Sequence, residues 1–330
     1  MRSVHFSQDI PIMYMAIIVP GGPALEGQLW PSHTAVFGHL IYNEFEKFSE
    51  KSALNTYGGK FGLGLFPEYL YIQLNFPTSI TKQIIRFIFE FIYSNEYKIS
   101  VNEINQIKEL IIKKLNRSSN LSMNTLRKAI FGECHVTRSP FGTLEDINNV
   151  TTESLRSFWD YLQKFKCTCV SIGAINPWDQ FKASNSLKSY TPPSLQVSST
   201  NNTLISKEMV EQRNYKLGIA TRGYNFRDEE ICKMLVCALF KYHRLLPIQK
   251  LVHNNYGINH FFPKTESFLD FGLIWFDLPI FIDKKLINEI SNFIENPGYY
   301  ISQIDFERAK NYLEYELLDL SVHPERIITI

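Results

Sequence analysis

Thr34-Ala35-Val36-Phe37-Gly38-His39-Leu40-Ile41-Tyr42-Asn43-Glu44-Phe45-Glu46-Lys47-Phe48 decides how the rest of the chain is read. Its apolar residues recur at intervals of three and four, the spacing of one buried helix face. On either side the period changes to two, so residues 13–19 and 69–76 read as half-buried strands, with Gly58-Gly59 marking the turn before the second. Helical stripes follow at 80–93 and 101–115, and 122–131 adds a third helix. Thr151-Thr152-Glu153-Ser154 is an N-cap signal ahead of Leu155, Phe158 and Leu162, and a strand follows at 168–175.

The same order returns in the second half: a strand at 215–221, a helix at 228–245, a strand at 268–276, and helices at 284–294 and 303–320. Repetition of this order predicts an α+β protein of two related domains, each an antiparallel sheet packed with helices. The second copy is incomplete at its C-terminus, because nothing after residue 320 matches the last helix and strand of the first. Between the halves the sequence turns rich in Ser, Asn, Thr and Pro. The expected division is a domain at 1–180, a linker at 181–207 and a domain at 208–330.

Composition narrows the function classes. With 45% hydrophobic and 20% charged residues in 330, the chain is an ordinary folded protein, and its length suits two cores. The formal net charge is +1 and no dense Lys/Arg block occurs, which argues against nucleic acid as a partner. The apolar run at 10–19 follows Asp9, contains Pro11 and is too short to cross a bilayer, so neither membrane insertion nor a targeting segment is expected. Cys134, Cys167, Cys169, Cys232 and Cys237 match no zinc-ribbon or thioredoxin spacing and read as reduced thiols, pointing to the cytoplasm.

Gly38-His39-Leu40-Ile41-Tyr42-Asn43 resembles the Gly-x-x-His-x-x-Glu-His region of the inverted zinc peptidases, the insulinase group that includes pitrilysin and mitochondrial processing peptidase. Two further stretches carry the resemblance. Tyr57-Gly58-Gly59-Lys60 precedes Tyr69-Leu70-Tyr71-Ile72, and Phe141-Gly142-Thr143-Leu144-Glu145-Asp146-Ile147 runs on to Val150-Thr151-Thr152-Glu153-Ser154-Leu155-Arg156-Ser157-Phe158. The second half is similar more weakly, through 251–257 and Phe306-Glu307-Arg308-Ala309-Lys310-Asn311. The resemblance also implies a C-terminus shorter than is usual in the family.

What the resemblance implies for chemistry is mostly loss. A catalytic zinc needs three protein ligands, an open position for water and a base beside it. His39 keeps the first ligand position, Asn43 replaces the second ligand and Tyr42 replaces the general base. The third ligand, a Glu on a later helix, aligns with Lys114, with Glu109 as the competing carboxylate. An Asn amide is a weak ligand, a Tyr hydroxyl a poor base and a Lys ammonium repels a dication. The family's substrate-holding Arg and Tyr align with Val252 and His260.

The resemblance therefore implies a pseudo-peptidase with neither catalytic nor metal-binding residues and no cofactor of its own. Zinc is expected only in a partner, a catalytic zinc-peptidase homologue enclosing peptide substrate with this chain in a shared chamber. The peptide is expected to be processed in the cytoplasm, in the maturation of a ribosomally made product, with the mitochondrial matrix as the alternative location. The other reading is a scaffold subunit with no peptide substrate, of the kind found among respiratory-complex core proteins.

Overall fold

The computed structural model describes residues 2–51, 59–93, 99–115, 121–180, 187–194, 214–242, 247–257, 261–279 and 284–322. Two compact units emerge, one formed by residues up to 118 with 138–193, the other by 119–137 with 194–322.

In the first unit β1 (Arg2–Ser7) and β2 (Ile12–Pro20) lead into the short α1 (Gly22–Glu26) and the long α2 (His33–Lys51). Then come β3 (Lys60–Leu65), β4 (Tyr69–Pro77), α3 (Thr81–Tyr93) and α4 (Val101–Leu115). After α5 (Leu121–Phe131), the chain forms α6 (Leu144–Asn149), α7 (Thr152–Leu162) and β5 (Thr168–Gly173). The sheet order is β1-β5-β2-β4-β3. Every pairing is antiparallel except β1 with β5, so this sheet is mixed where the repeat predicted a purely antiparallel one.

Strand alternation fixes which face is buried. Met13, Met15, Ile17 and Val19 of β2 and Leu70, Ile72, Leu74 and Phe76 of β4 all enter one core. Against them pack Phe37, Leu40 and Ile41 of α2, Ile84, Ile85 and Ile88 of α3, and Phe158 and Trp159 of α7. Each such side chain contributes about 1.5–3 kcal/mol by leaving water. Trp159 satisfies its one polar atom by donating to the Ile92 carbonyl at 2.9 Å. The N-cap signal at Thr151 forms a capping box, with Thr151 and Ser154 bonded reciprocally.

The second unit runs β6 (Asn214–Arg222), α8 (Arg227–Tyr242), α9 (Pro247–Tyr256), β7 (Pro263–Ser267), β8 (Phe271–Pro279), α10 (Lys284–Glu295) and α11 (Gln303–Val322). Its three strands are antiparallel in the order β6-β8-β7. Leu217, Phe276 and Leu278 form one core with Phe240 of α8, Val252 of α9 and Ile290 of α10. On the opposite sheet face α5 packs Leu126 and Phe131 against Phe268 and Leu273. Arg127 adds two hydrogen bonds, of 2.8 and 2.5 Å, to the Glu266 carboxylate. Segment 119–137 thus lies by sequence inside the span 1–180 yet packs with the second unit.

Part of the expected linker is held in place. Lys188 exchanges backbone hydrogen bonds of 2.8 Å with Lys164 and Lys166, and the Tyr190 ring meets Phe165 edge-on. Residues 181–186 and 195–207 of that span lie outside the described residues.

The repeat seen in sequence extends to strand register. Ile12 pairs Pro77 and Phe61 pairs Leu74 in the first sheet; Asn214 pairs Pro279 and Pro263 pairs Phe276 in the second. One constant displacement therefore superposes β2, β4 and β3 on β6, β8 and β7. Ala16 corresponds to Gly218, Tyr71 to Leu273, Gln73 to Trp275 and Gly64 to Glu266.

Candidate functional site

The site lies where α2 packs against α4. The start of α2 is fixed by a buried carboxylate from the preceding helix. Glu26, 4% exposed, accepts from the Ser32 amide at 3.0 Å and the Thr34 amide at 2.7 Å, satisfying donors a helix N-terminus leaves free. Burial pushes its carboxyl up to about 7 against the opposing effect of the Thr34 and Ser32 hydrogen bonds. Ser32 sits at φ 67, and Gly142, at φ 75, lies so close that a β-carbon there would fall 1.8 Å from Ser32 Oγ. His33 completes the junction through Pro31 O at 2.9 Å and Ser154 Oγ at 2.8 Å. Sequence reading passed over Glu26. Its signal was an acidic residue just ahead of a helix start in an apolar, glycine-bounded segment.

Two turns into α2, His39 is 6% exposed. Its Nδ1 donates to the Ala35 carbonyl at 2.8 Å, which leaves Nε2 as an acceptor, and the Lys114 ammonium donates to it at 3.0 Å. Lys114 reaches this point because it continues the stripe Ile104, Ile107, Ile111 that packs α4 into the core. Burial first, and the Lys114 charge in addition, hold the imidazole below its ordinary pKa, with the Ala35 bond opposing them. At neutral pH His39 is an uncharged imidazole whose free lone pair already has a donor.

The neighbouring positions supply no replacement. Tyr42 is 36% exposed and leans on the Phe61 ring at 5.5 Å. A hydrogen bond to Glu46, and then burial, raise its phenol pKa, so it stays protonated where a water-activating base would have to be ionised. Asn43 is half-buried one turn beyond His39. Glu109 is exposed on α4, five residues before Lys114 and so about 140° round the helix from it. Glu44 is engaged by Lys47, which also reaches Glu103 at 3.2 Å. Among the described residues no group of three or more His, Cys, Asp or Glu side chains could hold a metal ion. A dication entering here would displace an ammonium and find one imidazole, which is not a fit.

Around the site the packing is aromatic. Phe45 stacks on Phe61 at 4.3 Å and Phe48 on Phe87 at 4.5 Å. Phe89 and Phe91 are buried in the core. β3, which carries Phe61, is a terminal strand of its sheet, and its outer edge pairs with no described strand. Such an edge can accept an extended peptide through backbone hydrogen bonds alone. In the second unit Val252 is fully buried in the core beneath α9 and presents no donor to a ligand. His260, the other position where the resemblance led one to expect a substrate anchor, lies outside the described residues.

Neither a protein-family model nor any curated protein sequence matches the chain. Solved structures do. A protease from Helicobacter pylori aligns with a TM-score of 0.73 at 14% identity, over 96% of this chain and 82% of its own. A peptidase M16 inactive domain from Pseudomonas fluorescens aligns with a TM-score of 0.69 at 13% identity, over 94% and 80%. A putative M16-like peptidase from Alicyclobacillus acidocaldarius gives 0.69 at 15%, over 96% and 81%. At such identities the similarity is one of architecture, and the chain has the two-unit α+β fold of these peptidase structures.

Proposed function

We propose that this protein is a pseudo-peptidase, the noncatalytic half of a heterodimeric processing peptidase whose zinc-bearing half is a homologue with an intact His-x-x-Glu-His helix. The observation that carries the reading is the Lys114 ammonium hydrogen-bonded to the His39 imidazole, in a fold shared with peptidases. An ammonium there excludes a dication, whereas the open edge of β3 still offers a peptide backbone a strand to pair with. This chain then shapes the chamber and holds substrate, and the partner hydrolyses it. The proposed setting is the cytoplasm, with a ribosomally made peptide as substrate.

The test is reconstitution with the zinc-bearing homologue. The mixture is expected to cleave a peptide substrate faster than the homologue alone, and equal rates would defeat the heterodimer. One observation favours a second reading, a scaffold subunit that handles no peptide: Val252 is buried and apolar where a substrate-holding donor is wanted. A stable complex without any gain in cleavage would support it.

A further inference from the structure

The exposed Lys114 brings a positive charge to the buried His39, and the imidazole takes one of the ammonium's three N–H donors. Among the described residues no carboxylate pairs with the other two. Glu44 and Glu103 are engaged by Lys47, and Glu46 accepts from the Tyr42 hydroxyl. Glu109 shares α4 with Lys114 but lies on a different face of it. A bond to a neutral imidazole fixes the ammonium in place without cancelling its charge. A fixed, uncancelled cation with donors to spare is what an anion needs.

Two neighbours define which anion can reach it. Asn43, four residues after His39 and so on the same face of α2, carries two further N–H donors on its amide. β3 lies beside the same helix. Its Phe61 ring meets Tyr42 at 5.5 Å, and a β-carbon on Gly38 would stand 3.1 Å from Leu63 Cδ2. Phe61, Leu63 and Leu65 therefore mark the side of the sheet that faces α2. An extended peptide added to the edge of β3 sends every second side chain to that side.

We propose that Lys114 and Asn43 form a receptor for a carboxylate of the bound peptide, so that the chain selects acidic peptides. The proposal rests on the reading of β3 as the strand on which peptide docks, and adds a substrate class to it. The carboxylate comes from an Asp or Glu side chain or from the peptide's C-terminus. In either case it accepts from the ammonium donors that His39 leaves unused. An exposed charge pair of this kind strengthens binding about fivefold, the equivalent of ~1 kcal/mol.

The test uses the full chain alone, without a catalytic partner, and three fluorescent eight-residue peptides rich in Val and Thr. One has a central Glu and an amidated C-terminus, one has Gln in place of that Glu, and one has the Gln with a free C-terminal carboxylate. Binding is followed by fluorescence anisotropy. The Glu peptide is expected to bind about fivefold more tightly than its Gln counterpart, and Lys114→Gln should make the two bind alike while Lys114→Arg keeps the preference. A preference for the free C-terminus instead, also lost in Lys114→Gln, supports the receptor and assigns it the terminal carboxylate. Equal binding of all three peptides overturns the proposal and leaves the docking strand standing. A preference that survives Lys114→Gln overturns it in favour of another cation, and no binding of any peptide overturns it together with the docking strand. Failure of the heterodimer in reconstitution is a separate result, because no partner takes part here.

Discussion

Replacing Gly142 by Ala is expected to destabilise the first unit by about 3–5 kcal/mol. Gly142 sits at φ 75, where an L side chain costs about 1–2 kcal/mol. The new β-carbon would also stand 1.8 Å from Ser32 Oγ and 3.0 Å from its β-carbon, so Ser32 must move. That movement stretches the 3.0 Å bond from the Ser32 amide to the buried Glu26 carboxylate, a charged hydrogen bond worth roughly 1.5–3 kcal/mol. The assay is urea unfolding followed by tryptophan fluorescence, with Trp30, Trp159 and Trp178 reporting on the first unit through a variant in which Trp275 is Phe. Adding Ser32→Gly to Gly142→Ala removes the clashing oxygen and the strained φ, and should restore part of the loss, a coupling that separates this clash from general damage. A loss below about 1 kcal/mol, or no coupling, would refute the interlock.

Glu26 makes stability depend on pH. The unfolded carboxyl loses its proton near 4.5 and the folded one near about 7, so the neutral form favours folding. The contribution, on the order of 3 kcal/mol, is complete below about 4.5 and lost as pH rises to about 7. Glu26→Gln should flatten that slope in denaturation curves measured across the window. Arg127→Ala should cost the second unit about 2–3 kcal/mol, because it leaves the Glu266 carboxylate, 17% exposed, without its partner; Arg127→Lys should recover little, having no planar fork, and Trp275 fluorescence is the readout. Lys114→Met removes the charge that adds to burial in lowering the His39 pKa, so an NMR titration of that imidazole should show its pKa rise.

Much of the fold was legible because helices and strands write their burial into spacing. The α2 stripe and the alternation in β2 and β4 each have one dry face, and the Thr151 cap carries its own signature. β1 and β3 were not legible. Both are terminal strands with one edge unpaired among the described residues, and β3 alternates its apolar residues with glycine, so its period of two has no polar side to mark it. Nor does local sequence say that α5 packs with the second sheet, since the Arg127–Glu266 pair joins residues 139 apart. At the site, the helical spacing put His39, Tyr42 and Asn43 together, and alignment alone placed Lys114. That Lys114 donates to His39, and that Glu26 caps the helix carrying His39, Tyr42 and Asn43, are facts of tertiary packing.

Central to the proposed loss of hydrolysis is the hydrogen bond from Lys114 to His39, which would leave a metal no place there. Zinc content is the direct measure: the purified full chain is equilibrated with zinc, passed through a desalting column and assayed by elemental analysis, beside a His39→Ala variant. The account predicts well below one zinc per chain, with no difference between the two proteins. One tightly held zinc per chain, lost in the His39→Ala variant, would contradict it.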